Sequence, residues 1–74
     1  MQSSIIWREK KVYLSDLAKE VEPRVTYSTA WQWWRLGRVN RHTGERVKLE
    51  AVRLSGGLAT SFEAYERFLM ALNS

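Results

Sequence analysis

Most of the side chains that could act on a ligand lie in one stretch, residues 27–50, which reads YSTAWQWWRLGRVNRHTGERVKLE. Between residues 35 and 53 there are six Lys or Arg residues and two Glu residues, a net charge of +4 that equals that of the whole chain. Such a concentration of positive charge favours a polyanionic partner, and Arg and Gln are also the side chains that read base edges in the DNA major groove. The alternative interpretation is a basic surface that contacts only solvent.

The sequence gives little support for catalysis or for a bound cofactor. It has no cysteine and a single histidine, His42, which falls in a predicted turn. The SGG stretch at residues 55–57 lacks the lysine and the spacing of a phosphate-binding P-loop. Helix capping and surface solvation account for Asp16, Glu20 and Glu63. We therefore expect no enzyme activity, no metal and no other cofactor.

The composition indicates one small domain without disulfides. A chain of 74 residues buries only about 60% of its unfolded surface, so each large apolar residue matters. The lack of cysteine fits a reducing compartment. Apolar runs are far shorter than the ~20 residues of a membrane span, and the N-terminus lacks the apolar core of a signal peptide. We expect a soluble protein of the bacterial cytoplasm or nucleoid, with no membrane partner.

Two short helices joined by a tight turn are predicted, the second of them within the 27–50 stretch. Ser15 is the expected N-cap of the first helix, and Pro23 ends it because the residue before a proline is disfavoured in helical geometry. Thr26 is the expected N-cap of the second helix. The apolar face of the first helix consists of Leu14, Leu17, Ala18 and Val21. This is the outline of a helix-turn-helix.

At 100° per residue, a helix that begins after Thr26 has two distinct sides. Trp33 and Trp34 should supply core area, and Gly37 should end the helix in the left-handed conformation. Trp31 lies on the other side, where contact with DNA and coverage by the N-terminal segment are equally compatible with its position. The inner side holds Ala30, Trp33, Trp34 and Gly37, and the outer side holds Ser28, Trp31, Gln32 and Arg35.

Beyond Gly37 the pattern changes from helical to alternating. It predicts a strand from Arg38, a turn at HTGE, a second strand through RVKLEAVRL, a turn at SGG and a short strand LAT. The inward candidates are Val47, Leu49, Val52 and Leu54, while Arg46, Lys48, Glu50 and Arg53 should face water or a ligand. A last helix, capped by Thr60 and Glu63, should close the core with Phe62, Tyr65, Phe68, Leu69 and Leu72.

These elements predict an α+β domain over residues 12–74, a small winged helix-turn-helix with three helices and a two- to three-stranded antiparallel wing. Residues 1–11 are expected to form an N-terminal arm whose Ile5, Ile6 and Trp7 could dock on another surface. In a winged helix-turn-helix the second helix enters the major groove and the wing contacts the backbone or minor groove.

Three stretches, YLSDLAKEV, VTYSTAWQWWRLGRV and GGLATSFEAYERFL, together resemble the MerR-type winged helix-turn-helix, particularly its short excisionase-like members. The resemblance covers residues 13–72 and implies sequence-directed binding of double-stranded DNA. It assigns Ser28, Gln32 and Arg35 to the recognition helix and residues 41–48 to the wing. The chain departs from the pattern in having Pro23 and Arg24 where the turn usually has glycine, and in its longer wing.

The resemblance also bears on the role. Full MerR regulators continue into a long dimerisation helix, whereas this sequence stops at Ser74. An excisionase-like architectural factor that bends DNA beside a recombinase is therefore favoured, with a small transcriptional regulator as the other role of the same class. A recombinase, or further copies of this chain on adjacent sites, would then be additional partners.

The residues predicted to contact DNA are Thr26, Ser28, Trp31, Gln32, Arg35, Arg38, Arg41, His42, Arg46 and Lys48. The competing hypothesis is a protein-interaction module in which Trp31, Trp7 and Ile6 form the contact surface and the basic residues surround it. RNA binding is less favoured, because the aromatic residues are predicted on a helix and not on an exposed sheet.

Overall fold

The computed structural model of the protein describes residues 5–73, so residues 1–4 of the predicted arm and Ser74 lie outside the described residues. The described chain forms three α-helices, a short 3-10 helix and five β-strands, which confirms the α+β class. In chain order these are the 3-10 helix Ile5–Arg8, β1 Val12–Tyr13, α1 Leu14–Glu20, α2 Tyr27–Arg35, β2 Arg38–Val39, β3 Arg46–Val47, β4 Val52–Leu54, β5 Gly57–Thr60 and α3 Phe62–Asn73. None of the helices in residues 5–73 is both long and apolar enough to cross a membrane.

The two helices of the helix-turn-helix begin differently. At α2 the prediction is confirmed, because the Thr26 hydroxyl accepts a hydrogen bond from the Thr29 N–H at 3.1 Å. At α1 the prediction of Ser15 as N-cap is wrong, since Tyr13 holds that position in extended geometry and provides no side-chain cap. The reason is that Tyr13 pairs with Ala59 in the sheet, so α1 starts directly from β1.

The strands form two antiparallel sheets, one of three strands in the order β1-β5-β4 and one of two strands, β2-β3. The predicted unbroken strand through RVKLEAVRL is wrong, because residues 48–51 separate β3 from β4. Leu49 interrupts the strand by turning into the core, where it is fully buried and its N–H donates to the Trp33 carbonyl oxygen at 3.0 Å. Strand β1 was not expected from the sequence, because its two residues are too few to show a period.

The core lies between the two helices of the helix-turn-helix, the three-stranded sheet and α3. Trp33 is its central aromatic residue, 9% exposed, with its ring centroid 6.1 Å from that of Tyr65 and 5.3 Å from that of Phe68. Trp34, which was predicted to be equally internal, is only partly buried. The buried apolar cluster comprises Leu14, Leu17, Ala18, Val21, Ala30, Trp33, Leu49, Leu58 and Phe68.

The N-cap of α3 lies one residue later than predicted. Ser61, and not Thr60, caps the helix, since the Ser61 hydroxyl accepts from the Ala64 N–H at 2.9 Å. Thr60 is still paired in β5, and its hydroxyl donates to the Glu50 carbonyl oxygen at 2.6 Å. The apolar face is also narrower than predicted, because Phe62 and Leu69 are exposed to solvent.

The described part of the N-terminal segment is attached to the domain. Ile6 is 1% exposed, and the Glu9 carboxylate accepts hydrogen bonds from the Ser61 hydroxyl and from Arg67, each at 2.6 Å. Arg67 also pairs with Glu50. The hydrogen bonds from Arg67 and Ser61 lower the pKa of Glu9 below its ordinary value. Because Ile6 is buried, it cannot belong to the exposed contact surface that the protein-interaction hypothesis required.

Candidate nucleic-acid interface

The outer side of α2 faces solvent, as its helical period predicts. Ala30 and Trp33 are buried on one side, and Ser28, Gln32 and Arg35 are exposed on the opposite side. Within residues 5–73, no hydrogen bond or ion pair engages the side chains of these three residues. Their polar groups are therefore available to a ligand. Thr26 at the start of the helix differs, since its hydroxyl is occupied in capping and in a 3.0 Å contact with the Thr29 hydroxyl.

A stripe of aromatic side chains runs along one flank of this outer side. It consists of Tyr27, Trp31 and Trp34, which are spaced at i, i+4 and i+7 and so lie one above another. Trp31 is 37% exposed and packs edge-on against Trp34, with 5.9 Å between ring centroids. The guanidinium carbon of Arg53 lies 5.8 Å from the Trp34 centroid, within the range of a cation–π interaction. Trp31 thus keeps an exposed surface beside the polar residues of α2.

The stripe borders an open groove of about 650 Å³, which we call the first groove. Arg35, Lys48 and Arg53 bring three positive charges to it, whereas its one carboxylate, Glu50, is paired with Arg67. The lining residues are Ile6, Trp34, Arg35, Lys48, Leu49, Glu50, Ala51, Val52 and Arg53. The first groove therefore has a net positive rim beside the C-terminal end of α2.

The β4–β5 hairpin shares a groove with α2 at each of its two ends. One end of β4 shares the first groove with Trp34 and Arg35, near the end of the helix. The turn at the other end of β4 shares a further groove with Tyr27, the first residue of the helix. This further groove is lined by Tyr13, Ser15, Tyr27, Gly56, Gly57 and Leu58. Each end of the hairpin thus shares a groove with one end of α2.

The β2–β3 hairpin is fixed at the C-terminal end of α2 by two close contacts. Gly37 has a φ of 79°, which confirms the predicted left-handed position. A methyl group in its place would lie 2.9 Å from the Lys48 Cγ and closer still to the Val47 carbonyl oxygen. Arg46 donates from Nη1 to the Leu36 carbonyl oxygen at 2.9 Å. The positive charge of Arg46 therefore sits where the helix dipole favours it, and one of its donors is already used.

The turn of this hairpin faces α3 and forms the second groove, of about 370 Å³. The buried Asn40 holds the turn in place. Its Oδ1 accepts from the His42 N–H at 2.7 Å and the Thr43 N–H at 3.2 Å, and its Nδ2 donates to the Ala71 carbonyl oxygen at 2.7 Å. The second groove is lined by Arg38, Val39, Arg41, His42, Leu69, Leu72 and Asn73.

The structure thus divides the predicted contact residues between two places. Ser28, Trp31, Gln32 and Arg35 are together on α2, and Lys48 lines the first groove with Arg35. The predicted contact residue Arg38 and the predicted wing residues Arg41 and His42 are grouped instead around the second groove with the C-terminal half of α3.

Sequence reasoning missed Trp34 and Arg53 as members of the site, and Asn40 as the residue that holds the turn. For Arg53 the sequence does contain a signal, because the alternation of residues along β4 predicts that its side chain faces outward. No pattern pointed to Asn40, whose partner Ala71 is 31 positions away. Within residues 5–73, no three His, Asp or Glu side chains are close enough together to hold a metal ion.

Comparison of the chain with protein families, with curated proteins and with solved structures gives no match. The fold defines an α+β protein whose helix-turn-helix and hairpins are consistent with a small winged helix. Functional assignment therefore depends on the chemistry of the two grooves and of α2.

Proposed function

We propose that the protein binds double-stranded DNA in a sequence-directed manner, with α2 as the recognition helix in the major groove. The observation that carries the proposal is the exposed side of α2, where polar side chains that have no partner within residues 5–73 lie beside a basic groove. An α-helix fits the major groove of B-DNA. Gln32 can pair with adenine through two hydrogen bonds and Arg35 with guanine, and Ser28 is small enough for a phosphate to approach the helix N-terminus.

The first groove supplies the second part of the interface. Lys48 and Arg53 line it together with Arg35, and basic side chains beside a recognition helix typically bind phosphates, which fix the position of the protein on the duplex. Trp31, in the aromatic stripe on the flank of α2, would pack against a deoxyribose or a thymine methyl group. The β4–β5 hairpin would then serve as a wing alongside α2.

The resemblance to excisionase-like winged helices supports a role as an architectural DNA-binding factor, and a small transcriptional regulator is the second role in the same class. Partners in the first role are a recombinase or further copies of this chain on neighbouring sites. The corresponding location is the bacterial cytoplasm or nucleoid.

The experiment is a selection of bound sequences from random duplex DNA, followed by salt titrations on the selected site and on a scrambled site. Gln32→Ala and Arg35→Ala should reduce the preference for the selected site, because each bidentate base contact discriminates by about 1–3 kcal/mol. Arg53→Ala should weaken binding to both sites and lower the slope of log affinity against log salt by about 0.9. Lys19→Ala, which removes an exposed charge from α1, is the matched control and should change neither quantity.

Two results would contradict the proposal. Failure to bind any duplex at low salt would exclude DNA as the ligand. If Arg53→Ala abolished the sequence preference while Gln32→Ala and Arg35→Ala left it intact, DNA binding would stand but α2 would not be its recognition helix.

A further inference from the structure

We propose that the second groove, between the β2–β3 hairpin and the C-terminal half of α3, is a docking site for an acidic, amphipathic segment of a protein partner. The inference is independent of the proposed DNA binding, because the second groove has no lining residue in common with the first.

The base of the second groove is aliphatic. Val39 is 49% exposed and Leu69 37% exposed, and the partly buried Leu72 lies with them. Exposed aliphatic side chains gathered in a concave site gain free energy when apolar surface of a partner covers them. The phosphate backbone of a duplex offers no such surface, so these residues favour a protein segment over nucleic acid.

The rim of the second groove is basic. Arg38, Arg41 and His42 stand on the hairpin side, and among the described residues that line the groove none has an acidic side chain. Within residues 5–73, no carboxylate forms an ion pair with either arginine. Complementary charge sets partner choice and orientation at an interface, so this rim selects a segment that carries Asp or Glu around its apolar residues.

The second groove is preformed, which reduces the ordering cost of binding. Asn40 ties the turn backbone at His42 and Thr43 to the Ala71 carbonyl of α3 through side-chain hydrogen bonds to each of these residues. Both walls therefore keep their separation without a ligand. A short amphipathic helix laid into such a groove would present its leucine-type residues at i, i+3 and i+4 to the base.

The test uses three fluorescein-labelled peptides. The first consists of Leu and Glu with leucines at helical spacing, the second has Lys for Glu, and the third has the composition of the first with its leucines dispersed. Binding is followed by fluorescence anisotropy, and the site is located by amide chemical shifts of the 15N-labelled protein. We expect the first peptide alone to bind well and to shift resonances of residues 38–42 and 69–73.

Substitutions in the second groove test whether the peptide binds there. Arg41→Glu and Leu69→Gln change exposed side chains, and each should lower the affinity for the first peptide by about tenfold or more. Lys10→Glu makes the same change in net charge at an exposed position outside both grooves and should leave the affinity within about twofold. The amide spectrum of each variant establishes that it is folded.

Several outcomes overturn the proposal. Equal binding of the dispersed peptide would reduce the interaction to general charge attraction, and shifts confined to other residues would place the site elsewhere. Shifts of the same resonances by duplex DNA without peptide would assign the groove to nucleic acid. A concentration-dependent dimer that Leu69→Gln abolishes would assign it to a second copy of the chain.

Discussion

Replacing the three tryptophans of α2 one at a time by alanine should lower the free energy of unfolding by very different amounts. Each substitution removes the same atoms from the same helix, so the helix-propensity change is shared and the difference reports tertiary burial. Trp33 is buried against Tyr65 and Phe68, Trp34 is partly buried, and Trp31 is exposed over more than a third of its surface.

The magnitudes follow from those environments. Trp33→Ala should cost about 3–5 kcal/mol, because it leaves a cavity in the core and removes two aromatic contacts. Trp34→Ala should cost about 1–3 kcal/mol, since it loses the edge contact with Trp31 and the cation–π contact with Arg53. Trp31→Ala should stay within about 1 kcal/mol, because the lost ring contact is partly offset by the better helix propensity of alanine.

These values are large relative to the whole domain. At about 0.05–0.15 kcal/mol per residue, a chain of 74 residues has a total stability of roughly 4–11 kcal/mol. Urea unfolding followed by far-UV circular dichroism is the suitable assay, because tryptophan fluorescence is itself changed by the substitutions. If the slope of unfolding free energy against urea concentration is unchanged, the substitution has altered only the stability. If Trp31→Ala proved as costly as Trp33→Ala, the orientation of α2 in the domain would be wrong.

Three further predictions concern the turns and the N-terminal segment. Gly44→Ala should lower the free energy of unfolding by about 1–2 kcal/mol, because its backbone is left-handed. Gly37→Ala should cost about 1–3 kcal/mol more, because of the two glycines only Gly37 has other atoms where the methyl group would be added. Thermal unfolding of the two variants measures the difference. Asn40→Ala should cost about 2–4 kcal/mol, since three hydrogen bonds of about 1 kcal/mol each are lost, and unchanged amide exchange in the 40–45 turn would contradict this. The folded-state pKa of Glu9 lies below its unfolded value, so its stabilising contribution is complete above the ordinary pKa of 4.5 and disappears as pH falls through the folded-state pKa. Glu9→Gln should therefore destabilise the protein near neutral pH and reduce the loss of unfolding free energy on acidification. If the unfolding free energies of variant and wild type changed in parallel with pH, the role of the Arg67 contact would be refuted.

The local signals in the sequence were sufficient for the bounds of α2 and for its exposed polar residues, but not for Trp34, which is only partly buried. Thr26 and Gly37 bound the helix through their own backbone and hydroxyl chemistry, which depends on few neighbours. The helical period separates Trp33 from Gln32 and Arg35, because 100° per residue holds in any tertiary context. The α+β class followed from the same kind of reasoning, by the change from helical to alternating pattern after Gly37.

Contacts between distant segments were decided only by the tertiary structure. Pairing of β1 with β5 moved the start of α1 away from Ser15, and the burial of Leu49 against α2 divided the predicted long strand in two. The period of a helix or strand determines which side a residue occupies, but not which other element that side meets. For that reason the sequence could place His42 in a hairpin turn, whereas the position of that turn against α3, at the second groove, depends on tertiary contacts such as the hydrogen bond from Asn40 to the Ala71 carbonyl.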